Sequence, residues 1–249
     1  MKHLLGEEGR ELLAQLASTR LLLAFDFDGT LAPIVPDRSA AKMRSRTAAL
    51  LGELVTRYRV AVISGRAKSD VTRRLVPARF HHVVGNHGLE PGGDTRESAR
   101  IMKRCLPLLE AGLVGVYGVE VEDKRYSLAV HYRQARNKGV ARASISAAIA
   151  ALPDPMRVIA GKLVVNVVPA SAPNKGDALV ALRAQEQADV ALYVGDDVTD
   201  EDVFVLDEPG VIVSARVGRS VRTAAPYYVR DQREIDALLA TLVRLRPGA

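Results

Sequence analysis

Tryptophan is absent, cysteine occurs once, and aromatic residues are confined to seven tyrosines and four phenylalanines in 249 residues. A single Cys105 closes no internal disulfide and builds no cysteine zinc site, so a disulfide scaffold is excluded and a reducing, cytoplasmic compartment is expected. No apolar stretch approaches the ~20 residues of a membrane span. The segment from Met1 to Arg20 interrupts its leucines with Glu7, Glu8 and Glu11, which does not read as a secretory signal. Eleven aromatics are few for base stacking, and no helix-turn-helix or RNA-binding string is present, which argues against a nucleic-acid partner.

Apolar and charged residues are plentiful, at 48% and 26%, so the chain is not of disordered composition. A chain of this size buries about 75% of its surface and suits one large domain or a core carrying one inserted module. The net charge is +6, which alone suits either a nucleic acid or an anionic small molecule.

Short apolar runs end repeatedly in polar or glycine residues. Leu21 to Phe25 ends at Asp26, Arg59 to Ile63 at Ser64-Gly65, Val83-Val84 at Gly85, and Val190 to Val194 at Gly195-Asp196-Asp197. Helical spacing appears over Glu8 to Leu16, Thr47 to Tyr58, Asp177 to Gln187 and in the tail from Arg230 to Arg246. Strand, polar loop and helix in alternation predict an α/β fold with a doubly wound, mainly parallel sheet. In such sheets ligands bind beyond the carboxyl ends of the strands.

The middle of the chain departs from this rhythm. Val114 to Val121 and Tyr126 to Tyr132 read as a hairpin about a turn at 122–125. Helices are expected over Ser98 to Leu109 and Lys138 to Leu152, and a second hairpin has Met156 to Ile159 and Lys162 to Val168 around Ala160-Gly161. This predicts an α+β unit, 94–172, inserted between core segments 1–93 and 173–249. Pro91-Gly92-Gly93 and Pro169 to Pro173 are the expected hinges.

Asp26 and Asp28 alternate to the same side of a strand end, where two carboxylates repel unless a cation intervenes. A polar strand end with an Asx turn explains the same string. A second cluster, Gly195-Asp196-Asp197-Val198-Thr199-Asp200-Glu201-Asp202, holds more acid than helix capping needs, and a metal shared with Asp26 accounts for the excess. Ser64-Gly65-Arg66 precedes a helix and offers a hydroxyl and N–H groups to a phosphate; Lys175 opens another helix and offers a cation. Singly, these also read as an N-cap serine and a solvated lysine.

Taken in order, these strings resemble the haloacid dehalogenase (HAD) superfamily of aspartate-nucleophile phosphatases. The closest similarity is to its trehalose-6-phosphate phosphatases. It rests on Asp28-Gly29-Thr30-Leu31-Ala32-Pro33-Ile34, Ser64-Gly65-Arg66, His87-Gly88-Leu89-Glu90 and Gly195 to Phe204, with Glu122-x-Lys124, Ser127 and His131-Tyr132-Arg133 in the insert. The resemblance spans roughly Leu21 to Ala215. It implies a HAD-like core with a cap, Mg²⁺ as cofactor, a sugar phosphate as substrate, and hydrolysis through an aspartyl-phosphate. Asp26 is then the nucleophile and Asp28 the acid and base; Ser64 and Lys175 hold the phosphoryl group. Gly29, Thr30, Arg66, His87, Glu90, Glu122, Lys124, His131, Arg133 and Asn166 become substrate contacts, and Asp26, Asp28, Asp196, Asp197 and Asp200 the metal set. One string departs: where such enzymes carry Glu-x-Arg-Pro, this chain has Asn166-Val167-Val168-Pro169, so another sugar phosphate, such as a glycosyl-glycerate phosphate, stays open. An inactive scaffold is the remaining alternative, against which the intact acids and lysine speak.

The positive charge also acquires a place. Residues Arg96 to Ser171 hold twelve Lys+Arg and six Asp+Glu, leaving 23 of each elsewhere. The excess lies in the insert, where steering a dianion is a simpler use for it than binding nucleic acid.

Overall fold

The computed structural model describes residues 1–90, 95–161 and 163–247. Two compact units divide the chain: Met1–Gly88 with Asn174–Ala249, and Leu89–Pro173. The expected hinge at Pro91-Gly92-Gly93 and the 93/94 edge lie outside the described residues, as does Lys162.

In the first unit, β1 (Lys2–His3), α1 (Glu7–Ala17), β2 (Leu21–Phe25), α2 (Ser45–Leu54), β3 (Arg59–Ile63), α3 (Lys68–Leu75) and β4 (His82–Val84) precede the insert. The second unit contains α4 (Thr95–Gly112), β5 (Glu120–Asp123), β6 (Leu128–His131), α5 (Lys138–Ala150), β7 (Met156–Gly161) and β8 (Val164–Pro169). The first unit resumes with α6 (Lys175–Gln185), β9 (Val190–Gly195), α7 (Glu201–Phe204), β10 (Ile212–Val217), β11 (Tyr227–Val229) and α8 (Ile235–Leu245).

Seven strands form one sheet in the order β1-β11-β10-β9-β2-β3-β4, and every pairing is parallel. Alternation along the strands builds two cores. Leu21, Leu23 and Phe25 pack with Leu13, Leu51, Leu54 and Leu238 on one face. Leu22 and Ala24 pack with Leu179, Leu182, Tyr193 and Phe204 on the other. Burial on both faces is what makes these strands continuous apolar runs. β2 lies between β9 and β3, so the residues after Phe25 emerge beside those after Val194 and Ile63.

The second unit is an antiparallel sheet, β5-β6-β8-β7, with α4 and α5 against one face through Cys105, Leu109, Ile145, Val130 and Val167. Burial, with Asp154 nearby, pushes the Cys105 thiol up to about 11, so it serves as packing rather than as a nucleophile. The first hairpin strand begins later than its alternation suggests, because 114–119 is occupied by turns in which Gly115 and Gly118 take positive φ. Its turn lies at Lys124–Ser127, with the Lys124 N–H donating to the Ser127 carbonyl at 3.0 Å. The second hairpin extends β7 through Ala160-Gly161, and Leu163 at φ 61° makes the reversal. α2 stops at Leu54, four residues before the expected end, and α6 starts two residues early because Asn174 caps it.

α3 is fixed to the sheet through one carboxylate. Asp70 accepts from Arg66 at 2.8 Å and Arg74 at 3.1 Å, and Arg74 also donates to the Ser39 and Ala41 carbonyls. Burial raises the Asp70 pKa, but the bonds from Arg74 and Arg66 outweigh it and bring the pKa down to about 2. A depressed folded value contributes stability above the unfolded value of ~3.9, and that contribution is lost as pH falls through about 2. Urea unfolding should therefore show wild type losing up to about 2 kcal/mol relative to Asp70→Asn between pH 5 and pH 2. A pH-independent difference between the two proteins contradicts the assignment.

Candidate active site

The carboxyl ends of β2 and β9 bring residues 26 and 196 together across 170 positions of sequence. The Asp26 N–H donates to the Val194 carbonyl at 2.9 Å, which extends the β2–β9 ladder and sets Asp26 beside Gly195 and Asp196. Carboxylate oxygens of Asp26, Asp196 and Asp200 lie within 4.8 Å of one another. Lys175, 1% exposed at the first turn of α6, reaches Asp200 Oδ1 at 2.7 Å and Asp26 Oδ1 at 3.2 Å.

Three carboxylates thus face one ammonium. Burial opposes the Lys175 charge, yet Asp200 and Asp26 outweigh it and push the pKa above its ordinary value, so the lysine is cationic. Burial pushes Asp26 well up, with Asp200, Asp196 and Asp28 adding to it against the pull of Lys175. Asp196 rises to about 7, first from burial and then from Asp200 and Asp197. This uncompensated negative charge on an all-oxygen donor set fits a hard divalent cation such as Mg²⁺.

Asp200 stands apart within the group. Oδ1 accepts from Lys175 and from the Tyr193 hydroxyl at 2.6 Å, while Oδ2 accepts from the N–H groups of Asp196 at 2.7 Å and Asp197 at 2.8 Å. Four bonds fill the roughly four acceptor positions of a carboxylate. Proximity alone would make it a metal ligand; saturation makes it the buttress of the acidic loop. Asp196 and Asp26, with fewer partners, are the better ligand positions. Asp197 is exposed, with its backbone engaged by Asp200 and by Arg216.

Two glycines make room for these acids. A Cβ on Gly29, whose φ is +82°, would lie 2.1 Å from the Asp196 carboxylate, and one on Gly195 would lie 2.3 Å from that of Asp200. Thr30 Oγ1 is 3.4 Å from Asp196 Oδ1. The Gln232 side chain donates to the Thr30 carbonyl at 3.0 Å, steadying this loop from 202 residues away.

Ser64 is fully buried at the end of β3, and its Oγ accepts from the Arg66 N–H at 3.2 Å. Arg66 is 4% exposed and its guanidinium grips Asp28 through two 2.7 Å bonds. With the bonds to Asp70 and to the Arg38 carbonyl, four of its five donors are engaged inside the protein. His87 is buried at φ 58°, with its ring against Gly65, where a Cβ would approach to 2.4 Å. Glu90 is half-buried in the second unit.

Glu122, His131 and Asn166, with Lys124 bonded to Asn166, share the sheet face opposite the insert's helices. Leu128, Val130, Val165 and Val167 alternate into the helix layer, so Glu122, His131 and Asn166 project away from it. His131 Nε2 lies 2.8 Å from Glu122 Oε2, and the buried Lys124 Nζ donates to Asn166 Oδ1 at 3.1 Å. Arg133 follows β6 and is exposed. The residues not singled out by sequence are Tyr193, Gln232 and Asp70. Tyr193 had a signal, a polar tip inside an apolar strand; Gln232 had none.

Comparison with known proteins agrees with this arrangement. The sequence profile of the trehalose-phosphatase family matches residues 24–232. The trehalose-phosphate phosphatase of Mycobacterium avium (strain 104) is 36% identical over 204 residues, 76% of this chain and 52% of that protein. The chain thus spans about half the length of the curated relatives it matches. Among solved structures, the C-terminal domain of the C. albicans trehalose-6-phosphate phosphatase superposes with a TM-score of 0.75 at 24% identity, covering 95% of this chain and 96% of that one. The Aspergillus fumigatus trehalose-6-phosphate phosphatase superposes with a TM-score of 0.68 at 25% identity, covering 98% and 99%. With its HAD-like core, its α+β insert and its acidic strand ends, the chain belongs to the trehalose-phosphatase family.

Proposed function

We propose that this protein is a cytoplasmic, Mg²⁺-dependent phosphatase that hydrolyses trehalose 6-phosphate to trehalose and phosphate. The reading is carried by buried Asp26 held against Lys175 beside Asp196, at the strand ends of a chain of this family. Lys175 engages Oδ1 of Asp26, which leaves Oδ2 to attack phosphorus and form an aspartyl-phosphate. Asp28 gives a proton to the departing sugar oxygen and later takes one from the attacking water. Ser64, Lys175 and the N–H groups of Gly29 and Thr30 hold the phosphoryl oxygens. Asp26, Asp196 and the Asp28 carbonyl would hold Mg²⁺, with Asp197 and Asp200 behind them; bound there, the ion supplies positive charge to the nucleophile and the transferring group.

The insert, 94–172, is proposed to act as the cap that recognises the sugar through Glu122, Lys124, His131, Arg133 and Asn166, with His87 and Glu90 contributing from outside its sheet. A second reading, a phosphatase for a different sugar phosphate, is favoured by one feature: Asn166 pairs with Lys124 where family members carry a glutamate. An amide hydrogen-bonds hydroxyls without bringing charge. No helix among the described residues is long and apolar enough to cross a membrane, and neither membrane nor nucleic acid enters the proposal.

Phosphate release from trehalose 6-phosphate, glucose 6-phosphate and glycosyl-glycerate phosphates, with and without Mg²⁺, tests the substrate assignment. Trehalose 6-phosphate should have the highest kcat/KM, chelation should abolish turnover, and added Mg²⁺ should restore it. A preference for a glycosyl-glycerate phosphate transfers the assignment to the second reading. Asp26→Asn should lower kcat on the order of a thousandfold or more with an unchanged circular dichroism spectrum; substantial residual turnover removes Asp26 as nucleophile. Gly29→Ala pushes a methyl group into the Asp196 carboxylate, so half-maximal activity should need roughly tenfold more Mg²⁺. An unchanged Mg²⁺ titration for that variant would falsify the placement of Asp196 at the metal.

A further inference from the structure

The ion network Asp28–Arg66–Asp70–Arg74, centred on the buried Arg66, carries more than the reaction so far requires of it. Arg66 donates from Nε to Asp28 Oδ2 and from a terminal nitrogen to Asp28 Oδ1, each at 2.7 Å. Its other terminal nitrogen donates to Asp70 at 2.8 Å, and the Arg38 carbonyl accepts a further bond at 2.9 Å. The guanidinium lies 5.5 Å from the centre of the Phe27 ring. The Arg66 backbone is fixed as well: its N–H donates to Ser64 Oγ, and its carbonyl accepts from the Asn86 N–H at 2.7 Å. Four of the five guanidinium donors are engaged inside the protein. That is the environment of a scaffold group, and it leaves little with which to grip a phosphate.

Asp28, in contrast, lies beyond the end of β2 on a loop, and its side chain is 34% exposed. A carboxylate there would sample several orientations unless held. A planar fork on both oxygens fixes the carboxylate plane and takes about two of its four acceptor positions, leaving the others to carry a proton. We propose that Arg66 is a positioning residue for Asp28: it orients that carboxyl for proton transfer and does not itself bind substrate, and Asp70, clamped by Arg74, sets the orientation of Arg66. The proposal rests on the reading of Asp28 as the acid and base. In the step concerned, the proton leaves Asp28 for the bridging oxygen of the sugar as the bond from that oxygen to phosphorus breaks and the bond from Asp26 to phosphorus forms.

The step gives the proposal a distinctive readout. A sugar alkoxide is a poor leaving group and needs the proton, whereas p-nitrophenolate departs without it. Purified full-length protein with Mg²⁺ would be assayed on trehalose 6-phosphate and p-nitrophenyl phosphate as wild type, Arg66→Ala, Arg66→Lys, Asp70→Asn and, as benchmark, Asp28→Asn. Losing orientation at a reacting group costs on the order of a hundredfold. Arg66→Ala should therefore lose about that factor in kcat on the sugar phosphate, with KM within about threefold, and less than about fivefold on the aryl phosphate, following Asp28→Asn.

Arg66→Lys keeps the charge without the fork and should fall between wild type and Arg66→Ala. Added guanidinium at millimolar concentration should partly restore Arg66→Ala on the sugar phosphate alone. If Arg66→Ala does not fold, Asp70→Asn decides, since it loosens Arg66 and leaves Asp28 untouched; it should show the same substrate dependence at smaller amplitude. Equal losses on both substrates, or a rise confined to KM, overturn the positioning role. A wild-type protein that releases phosphate from neither substrate instead overturns the phosphatase reading beneath it.

Discussion

A buried ammonium is the constraint on which the acidic strand ends of this molecule depend. Placing the Lys175 charge out of reach of water costs several kcal/mol unless strong partners compensate. The compensation comes from Asp26, just past the end of β2, and Asp200, in the turn that follows β9. For both to reach one nitrogen, β2 and β9 must be neighbours and α6 must begin at Lys175, as the Asn174 cap arranges. Asp200 must also keep its orientation, and the Tyr193 hydroxyl with the N–H groups of Asp196 and Asp197 holds it. The lysine and the acidic loop therefore stand or fall together, and the surplus negative charge of Asp26 and Asp196 is what remains for a cation.

Much of this arrangement is legible in the linear sequence, for physical reasons. Strands buried on both faces cannot alternate, so Leu21–Phe25 and Val190–Val194 announce themselves as apolar runs, and the acids at their ends mark where the ligand side of a parallel sheet must be. The less legible elements obey weaker signals. β1 is two residues long and β11 three, too short for a period, and they are strands only because β10 offers an edge to β11 and β11 offers one to β1. The hairpin turns of the insert moved because residues such as Leu163 and Arg125 adopt positive φ, where composition favours glycine. The fate of Arg66 was the least accessible. Its string reads as a phosphate cradle, and only the fold reveals that its partners are Asp28 and Asp70, 38 and four residues away.

The insert follows a different economy from the core. Its sheet hides one face under α4 and α5, while the other mixes apolar residues such as Ile159 and Val168 with the Glu122–His131 and Lys124–Asn166 pairs. On that face the Lys124 ammonium donates to the neutral amide oxygen of Asn166. The basic excess of the chain is concentrated in the same unit.

The seven-stranded sheet draws on both sides of the insert, and this has a consequence for assembly. β2, β3 and β4 are complete before residue 89, yet β9, which lies against β2, begins only at Val190. On a ribosome the insert is a continuous stretch whose contacts are mostly local, whereas the core half made first waits with one edge of β2 open. Asp26 spends that interval without Asp196 or Asp200. The two halves of the site are thus made at opposite ends of synthesis, and a chain truncated between the insert and β9 would carry Asp26 and Ser64 without Asp196 or Asp200.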